Sequence, residues 1–182
     1  VEARARKSVE GGDIAPFSVT RTTSSDIEEQ AASLREWDQV YEQMTPGRFV
    51  GGLHEMCFAG IQVFRESTNQ AVHEAGAPWT GSRAIGVPVR MDGTARFRGE
   101  PVDVDALVTL GAGDELDFYT PRGFEIFGLV VDEKALEAHA RQVEHRDLGA
   151  ALARWQPKLD ADAVARPAAG CRQARRNKTR KS

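Results

Sequence analysis

The 182-residue chain has no run of about 18 apolar residues, the length a helix needs to cross a bilayer. Its first residues, V-E-A-R-A-R-K-S-V-E-G-G, lack the apolar centre of a signal peptide. Cysteine is nearly missing, with only Cys57 and Cys171. One lies in an apolar, β-like stretch and the other in a polar tail, so no structural disulfide is expected. Cys57 reads as a small buried hydrophobe, because a reactive thiol needs an electropositive, partly open setting. These absences point to a cytoplasmic protein with no membrane partner. No internal repeat at a solenoid period is visible, which argues against a repeat array.

What is present is the composition of a soluble globular protein, 41% hydrophobic and 28% charged. The length suits one domain with tails and is enough to bury a core without staples. The net charge of −3 hides an asymmetry. Residues 166–182 hold seven basic residues and no acidic one, which leaves 17 basic and 27 acidic residues, a balance of −10, in the rest of the chain. An acidic body repels phosphate and makes a poor general nucleic-acid surface. The basic tail could touch phosphate or be a solvated, disordered end.

Residues 1–23 are polar and contain glycine, and read as a flexible N-terminal arm with a short extended piece at Phe17–Thr20. Ser25-Asp26-Ile27-Glu28 has the form of a capping box, with Ser25 at the N-cap and Glu28 reaching back. Ile27, Ala31, Leu34 and Tyr41 follow helical spacing with Trp37 alongside, and Pro46-Gly47 ends the segment. The spacing therefore predicts one helix between the arm and a β-rich block.

From Phe49 to Asp132 short apolar runs are split by turn residues every eight to twelve positions. The expected strands are 49–57, 60–66, 83–89, 94–98, 101–109, 115–119 and 123–131, punctuated at Gly60, Asp92-Gly93, Gly99-Glu100, Gly111–Asp114 and Pro121–Gly123. No helical pattern of about ten residues interrupts the block, which argues against a parallel βαβ sheet and for an antiparallel sandwich or barrel. After it, Asp132 can cap a helix carrying Leu136, Ala140 and Val143. Asp147 can cap a second one carrying Leu148, Leu152 and Trp155 and ending before Pro157. Both are amphipathic and need a surface, either the barrel wall or a partner subunit.

The segment Trp37, Tyr41, Gln43, Met44, Thr45, Pro46, Gly47, Phe49, Gly51 (W-x-x-x-Y-x-Q-M-T-P-G-x-F-x-G) continues through Leu53, Glu55, Arg65-Glu66 and Asn69 to L-G-A-G-D-E-L-D-F at 110–118. In order and spacing, over about residues 20–155, it resembles the sensor domain of AraC-type transcription regulators, in particular those like the ethanolamine-operon regulator. The resemblance implies a mainly β, cupin-like double-stranded β-helix, a jelly-roll barrel, over residues 24–156. It also implies dimerising helices after the barrel and a barrel or arm that responds to a small-molecule effector. The family carries two helix-turn-helix motifs after its sensor. Residues 157–182 have no apolar helical periodicity and are broken by Pro157, Pro167 and Gly170, so no recognition helix is expected there. DNA would be contacted only through a domain outside this sequence.

A cupin-like barrel raises the question of metal catalysis. Metal-binding cupins place two histidines two residues apart, so that both imidazoles point into the barrel. This sequence has no H-x-H, and the adjacent pairs His54-Glu55 and His73-Glu74 would point to opposite faces of a strand. A site built from His54, His73 and a carboxylate stays open as a cupin-type enzyme alternative. Asp103 and Asp105 would share one strand face, most simply the solvated one. Ser24-Ser25 and Ser67 lack a nucleophile elbow, and Gly111–Asp114 is too short for a phosphate loop and reads as a hairpin turn.

An effector cavity should be apolar and aromatic with a few polar groups. The candidate contacts are Arg48, His54, Met56, Phe58, Trp79, Phe97 and Phe118, with Phe49, Phe64, Phe127 and Arg83 as further interior candidates; Trp79, in the loop G-A-P-W-T-G, stands out. The candidate dimer contacts are Leu136, Val143, Leu148, Leu152 and Trp155. The expected protein is a homodimeric, non-enzymatic effector sensor with no cofactor and no metal. A stand-alone anti-regulator that dimerises with a longer regulator is the other alternative.

Overall fold

The computed structural model describes residues 17–148 apart from Asp105 and Arg146. Among them, eleven strands form two antiparallel sheets and two helices flank them. The larger sheet runs β1 (Ser18–Ser24), β3 (Gly51–Phe58), β4 (Ile61–Thr68), β11 (Phe124–Asp132), β6 (Ser82–Arg90) and β9 (Val108–Leu110). The smaller runs β2 (Trp37–Gln43), β5 (Val72–Pro78), β10 (Leu116–Thr120), β7 (Ala95–Phe97) and β8 (Glu100–Val102). The pairings are nested: β4 with β11, β5 with β10, β6 with β9 and β7 with β8. The chain from β4 to β11 is thus one long antiparallel ribbon, and its successive segments alternate between the two sheets.

Local chemistry explains the tight turns. Ala59-Gly60 joins β3 to β4 and Arg98-Gly99 joins β7 to β8, with φ of 48° and 74°, and of 50° and 81°. Two left-handed residues in a two-residue loop make the turn whose twist matches that of paired strands. Along β3 and β4 the period of two puts Leu53, Glu55, Phe64 and Glu66 inside and His54, Met56 and Arg65 outside.

The core lies between the sheets. Leu53, Phe64, Val108, Leu110, Phe124, Ile126 and Val130 of the larger sheet meet Ala95, Phe97, Val102 and Phe118 of the smaller one. Phe97, Phe118 and Phe124 meet edge to face, with centroids 5.7 Å and 5.4 Å apart. Phe64 lies flat over Gly128, its cross-strand neighbour, where any Cβ would strike the ring. A smaller cluster of Ala31, Tyr41, Phe49 and Val72 ties helix α1 (Ile27–Ala31) to the edge of the sandwich.

Several expectations need correction. The helix expected through Tyr41 is only the five-residue α1, capped by Asp26 rather than Ser25, with Asp26 accepting from the backbone N–H of Glu28 and Glu29. Trp37–Gln43 is strand β2. A spacing of four, as from Trp37 to Tyr41, keeps two residues on one face of a helix and also on one face of a strand. Pairing of β2 with β5 decides for the strand. The extended piece expected at Phe17–Thr20 within the arm is strand β1, which starts at Ser18, runs on to Ser24 and pairs with β3. The strand expected at 101–109 is broken by a turn in which Ala106 N–H donates to the Asp103 carbonyl. The Gly111–Asp114 turn is closed by the Asp114 N–H and carboxylate, but it leads from β9 to β10 and so crosses between sheets instead of forming a hairpin.

After β11, Asp132 caps helix α2 (Glu133–Val143) as expected, accepting from Ala135 N–H at 2.7 Å. Its buried residue is Ala140; Leu136 is half-buried and Val143 is 57% exposed. Leu148 is half-buried, while Leu152 and Trp155 lie outside the described residues. Among the described residues no helix is long and apolar enough to cross a membrane.

Candidate functional site

An apolar cavity opens between the sheets. Its volume is about 50 Å³. That is room for a few waters or one small apolar group without rearrangement. Leu34, Ala84, Val108, Leu110, Leu116 and Ile126 line it together with the rings of Trp37, Tyr41, Phe64, Phe97 and Phe118. Gly86 keeps one wall low, since a Cβ there would press on Ile126 and Val108.

Strand register aims two carboxyl groups into this apolar space. On the larger sheet Glu66 sits in the cross-strand row Leu53, Glu66, Ile126, Pro88. On the smaller sheet Glu74 sits in the row Tyr41, Glu74, Phe118, Phe97. Glu66 is 5% exposed and Glu74 6%. The Tyr41 hydroxyl donates to both oxygens of Glu66, at 3.1 and 3.2 Å, and Gln30 Nε2 donates to Glu66 Oε1 at 2.8 Å. Among the described residues, Glu74 accepts only from the Thr120 hydroxyl, at 3.4 Å. No lysine, arginine or histidine among them lines the cavity.

The electrostatics follow from that arrangement. Burial pushes the Glu74 carboxyl well above its ordinary range, and the nearby Glu66 adds to the shift. Burial also raises Glu66, with the hydrogen bonds from Gln30 and Tyr41 working against it. Burial, and then the two carboxylates, push the Tyr41 phenol well above its usual value. A third inward carboxylate has a cation beside it. Glu55 accepts from Gln62 Nε2 at 2.7 Å and from Arg35 N–H at 3.0 Å, with the Arg35 guanidinium 3.9 Å away. Gln62 in turn accepts from the Trp37 indole N–H and holds that ring in place.

Of the seven candidate ligand contacts, Phe97 and Phe118 line the cavity. Arg48 is exposed, and His54 and Met56 project from the outer face of β3, because the strand period that buries Leu53 and Glu55 turns them to solvent. Phe58 is half-buried at the end of β3. Trp79 packs against the core and does not line the cavity. Among the further interior candidates, Phe64 lines the cavity, Phe49 belongs to the smaller cluster, Phe127 is exposed, and Arg83 is ion-paired with Glu133 at the start of α2. Cys57 is half-buried, and burial raises its thiol, in keeping with a packing role.

The histidines are not brought together. His54 is on the outer face of the larger sheet, where partial burial and then Arg21 and Arg65 hold its pKa down. His73 pairs with Asp117 at 2.9 Å and stacks on Tyr119, away from the cavity. Among the described residues no group of three or more His, Cys, Asp or Glu is placed to hold a metal. A second, polar hollow beside His54 contains Arg65, but its guanidinium is already paired with Glu125 at 2.7 Å.

Glu66 and Glu74 are absent from the site residues expected from the sequence, although each stands where period-two alternation points it inward: R-E-S at 65–67 and H-E-A at 73–75. A carboxylate at an inward strand position is the signal that could have found them. Compared with protein-family models, the chain matches none.

Proposed function

We propose that this chain is the effector-binding domain of an AraC-type transcription regulator, a cupin-like jelly roll that takes a small organic molecule between its sheets. The nested ribbon of β4 to β11 supports the jelly-roll reading. The observation that carries the function is the cavity itself, apolar and aromatic in its walls, with two buried carboxyl groups facing it and no cation among the described residues to pair them. A buried polar pair of this kind is costly to stability unless something completes it. Sites that bind ligands commonly hold such a cost.

Occupation of the cavity would press on both sheets at once. Trp37 and Tyr41 reach it from β2, which follows α1, so an effector can shift the balance between two placements of the N-terminal strand and helix. Helix α2 follows β11, which lines the cavity with Ile126, and provides a second route toward a dimer partner and an attached DNA-binding domain. The test is methyl NMR of the purified chain against a library of small organic molecules of all three charge classes. Binders should move the methyl signals of Leu34, Val108, Leu110 and Ile126. A library that moves none of them, or only those of the outer face such as Met56, overturns the reading.

A further inference from the structure

Resting on that reading, we propose that the occupant is a small organic monocation, with an ammonium group between Glu66 and Glu74 and its apolar part against the aromatic walls. The charge pattern argues this first. A carboxylate or phosphate ligand would face two carboxyl groups and find no cation among the lining residues, whereas a neutral ligand would bring no charge to set against an ionised carboxyl. Glu74 is over nine-tenths buried, lines the cavity and has a single, long acceptor contact among the described residues. An ammonium N–H supplies the donor and the charge together.

The walls argue for an organic cation over a metal ion. A calcium ion needs six to eight oxygen ligands and magnesium a near-complete octahedron. Two carboxyl groups and the Tyr41 hydroxyl are too few. The remaining walls are largely rings, and ring faces attract organic cations. Trp37 and Phe64 meet edge to face at 6.1 Å, so their faces are turned in different directions around the space.

The charge balance selects a single positive charge. The groups facing the pair are Tyr41 from β2, Gln30 from α1, Thr120 from β10 and the two glutamates themselves, so no other cation of the described residues competes. Two like charges in one apolar space repel, so one carboxyl keeps its proton and the other ionises as the cation enters. One proton leaves to solvent for each cation bound, and the filled site is neutral.

The test is isothermal titration calorimetry of the full chain with ethylammonium, ethanol and acetate, three molecules of similar size and three charges. Ethylammonium should bind about tenfold or more tighter than ethanol. It should release a proton, visible as a heat that changes with the ionisation enthalpy of the buffer, and should bind tighter at mildly alkaline than at mildly acidic pH. Glu74→Gln should lose about tenfold for ethylammonium while its affinity for ethanol holds or rises. Glu66→Gln serves as the second variant, with urea unfolding confirming that each is folded. Equal affinity for the ammonium and the alcohol, or an unchanged affinity in both variants, overturns the proposal. If the alcohol or acetate binds in the cavity instead, the sensor reading stands and the monocation falls. If no molecule of any charge reaches the cavity methyls, both fall.

Discussion

Replacing Glu74 by glutamine should reduce the pH sensitivity of folding and leave the protein more stable at neutral pH. Both carboxyl groups facing the cavity are raised above their ordinary value of 4.5 by burial, Glu74 the more strongly. The folded state therefore holds protons that the unfolded chain has already released. Stability from these groups is complete below the unfolded value and is lost as pH rises toward the folded one. Each proton held in the window changes the unfolding constant by up to about tenfold per pH unit. The wild type holds as many as two such protons, and the variant at most one, on Glu66. The amide keeps the shape of the acid and removes the cost of ionising it between Phe118 and Tyr41, its cross-strand neighbours. Urea unfolding followed by tryptophan fluorescence, with half-buried Trp37 as a reporter, measures the slope from mildly acidic to mildly alkaline pH. Wild-type stability should fall across that range and the variant's should fall less. Parallel curves, or a wild type that gains stability as pH rises, would refute the reasoning.

Other perturbations test the packing around the same site. Gly128→Ala should cost about 1–3 kcal/mol, because its methyl enters the space of the Phe64 ring, and Phe64→Leu in the same chain should recover part of the loss. Phe118→Ala removes a ring at the meeting point of Phe97 and Phe124 and should cost about 3–5 kcal/mol in chemical denaturation. Ala59 holds φ at 48° in a two-residue turn, and asparagine tolerates that region better, so Ala59→Asn should gain up to about 1 kcal/mol and raise Tm. His54→Ala changes an exposed outer-face side chain and should stay within about 0.5 kcal/mol of wild type, with ethylammonium affinity unaltered.

The β block is legible in the sequence because turn chemistry and short apolar runs leave strong local marks. Gly60, Gly99 and Gly123 all lie at left-handed positions, and each flanks a strand expected from the sequence. The cap at Asp132 is equally plain, since one side chain closes one helix end. Strand β2 is not legible. Its inward face alternates Trp37, Gln39, Tyr41 and Gln43, so half of those positions are polar and the hydrophobic period is hidden. Strand β5 escapes notice for a related reason: V-H-E-A-G-A-P buries Val72 and Glu74, and its place is set by partners β2 and β10 that are far away in sequence. The site is obscured in the same way. Aromatic residues stand out as ligand contacts, and Phe97 and Phe118 do line the cavity, but the carboxyl groups that distinguish it from ordinary core look like surface charges in the sequence. Buried acids break the pattern that hydrophobic periodicity depends on, and such breaks gather where a fold keeps a polar function inside.

The most direct measurement is carbon-13 NMR of the glutamate side-chain carboxyl groups, titrated with pH in the empty protein and again with ethylammonium. Two carboxyl resonances, assigned by Glu66→Gln and Glu74→Gln, should titrate above the ordinary range when the cavity is empty. At least one of them should shift to lower pH as the cation is added. If every glutamate titrates in the ordinary range, or if neither resonance responds to ethylammonium at millimolar concentration, the cavity is not the cation site described.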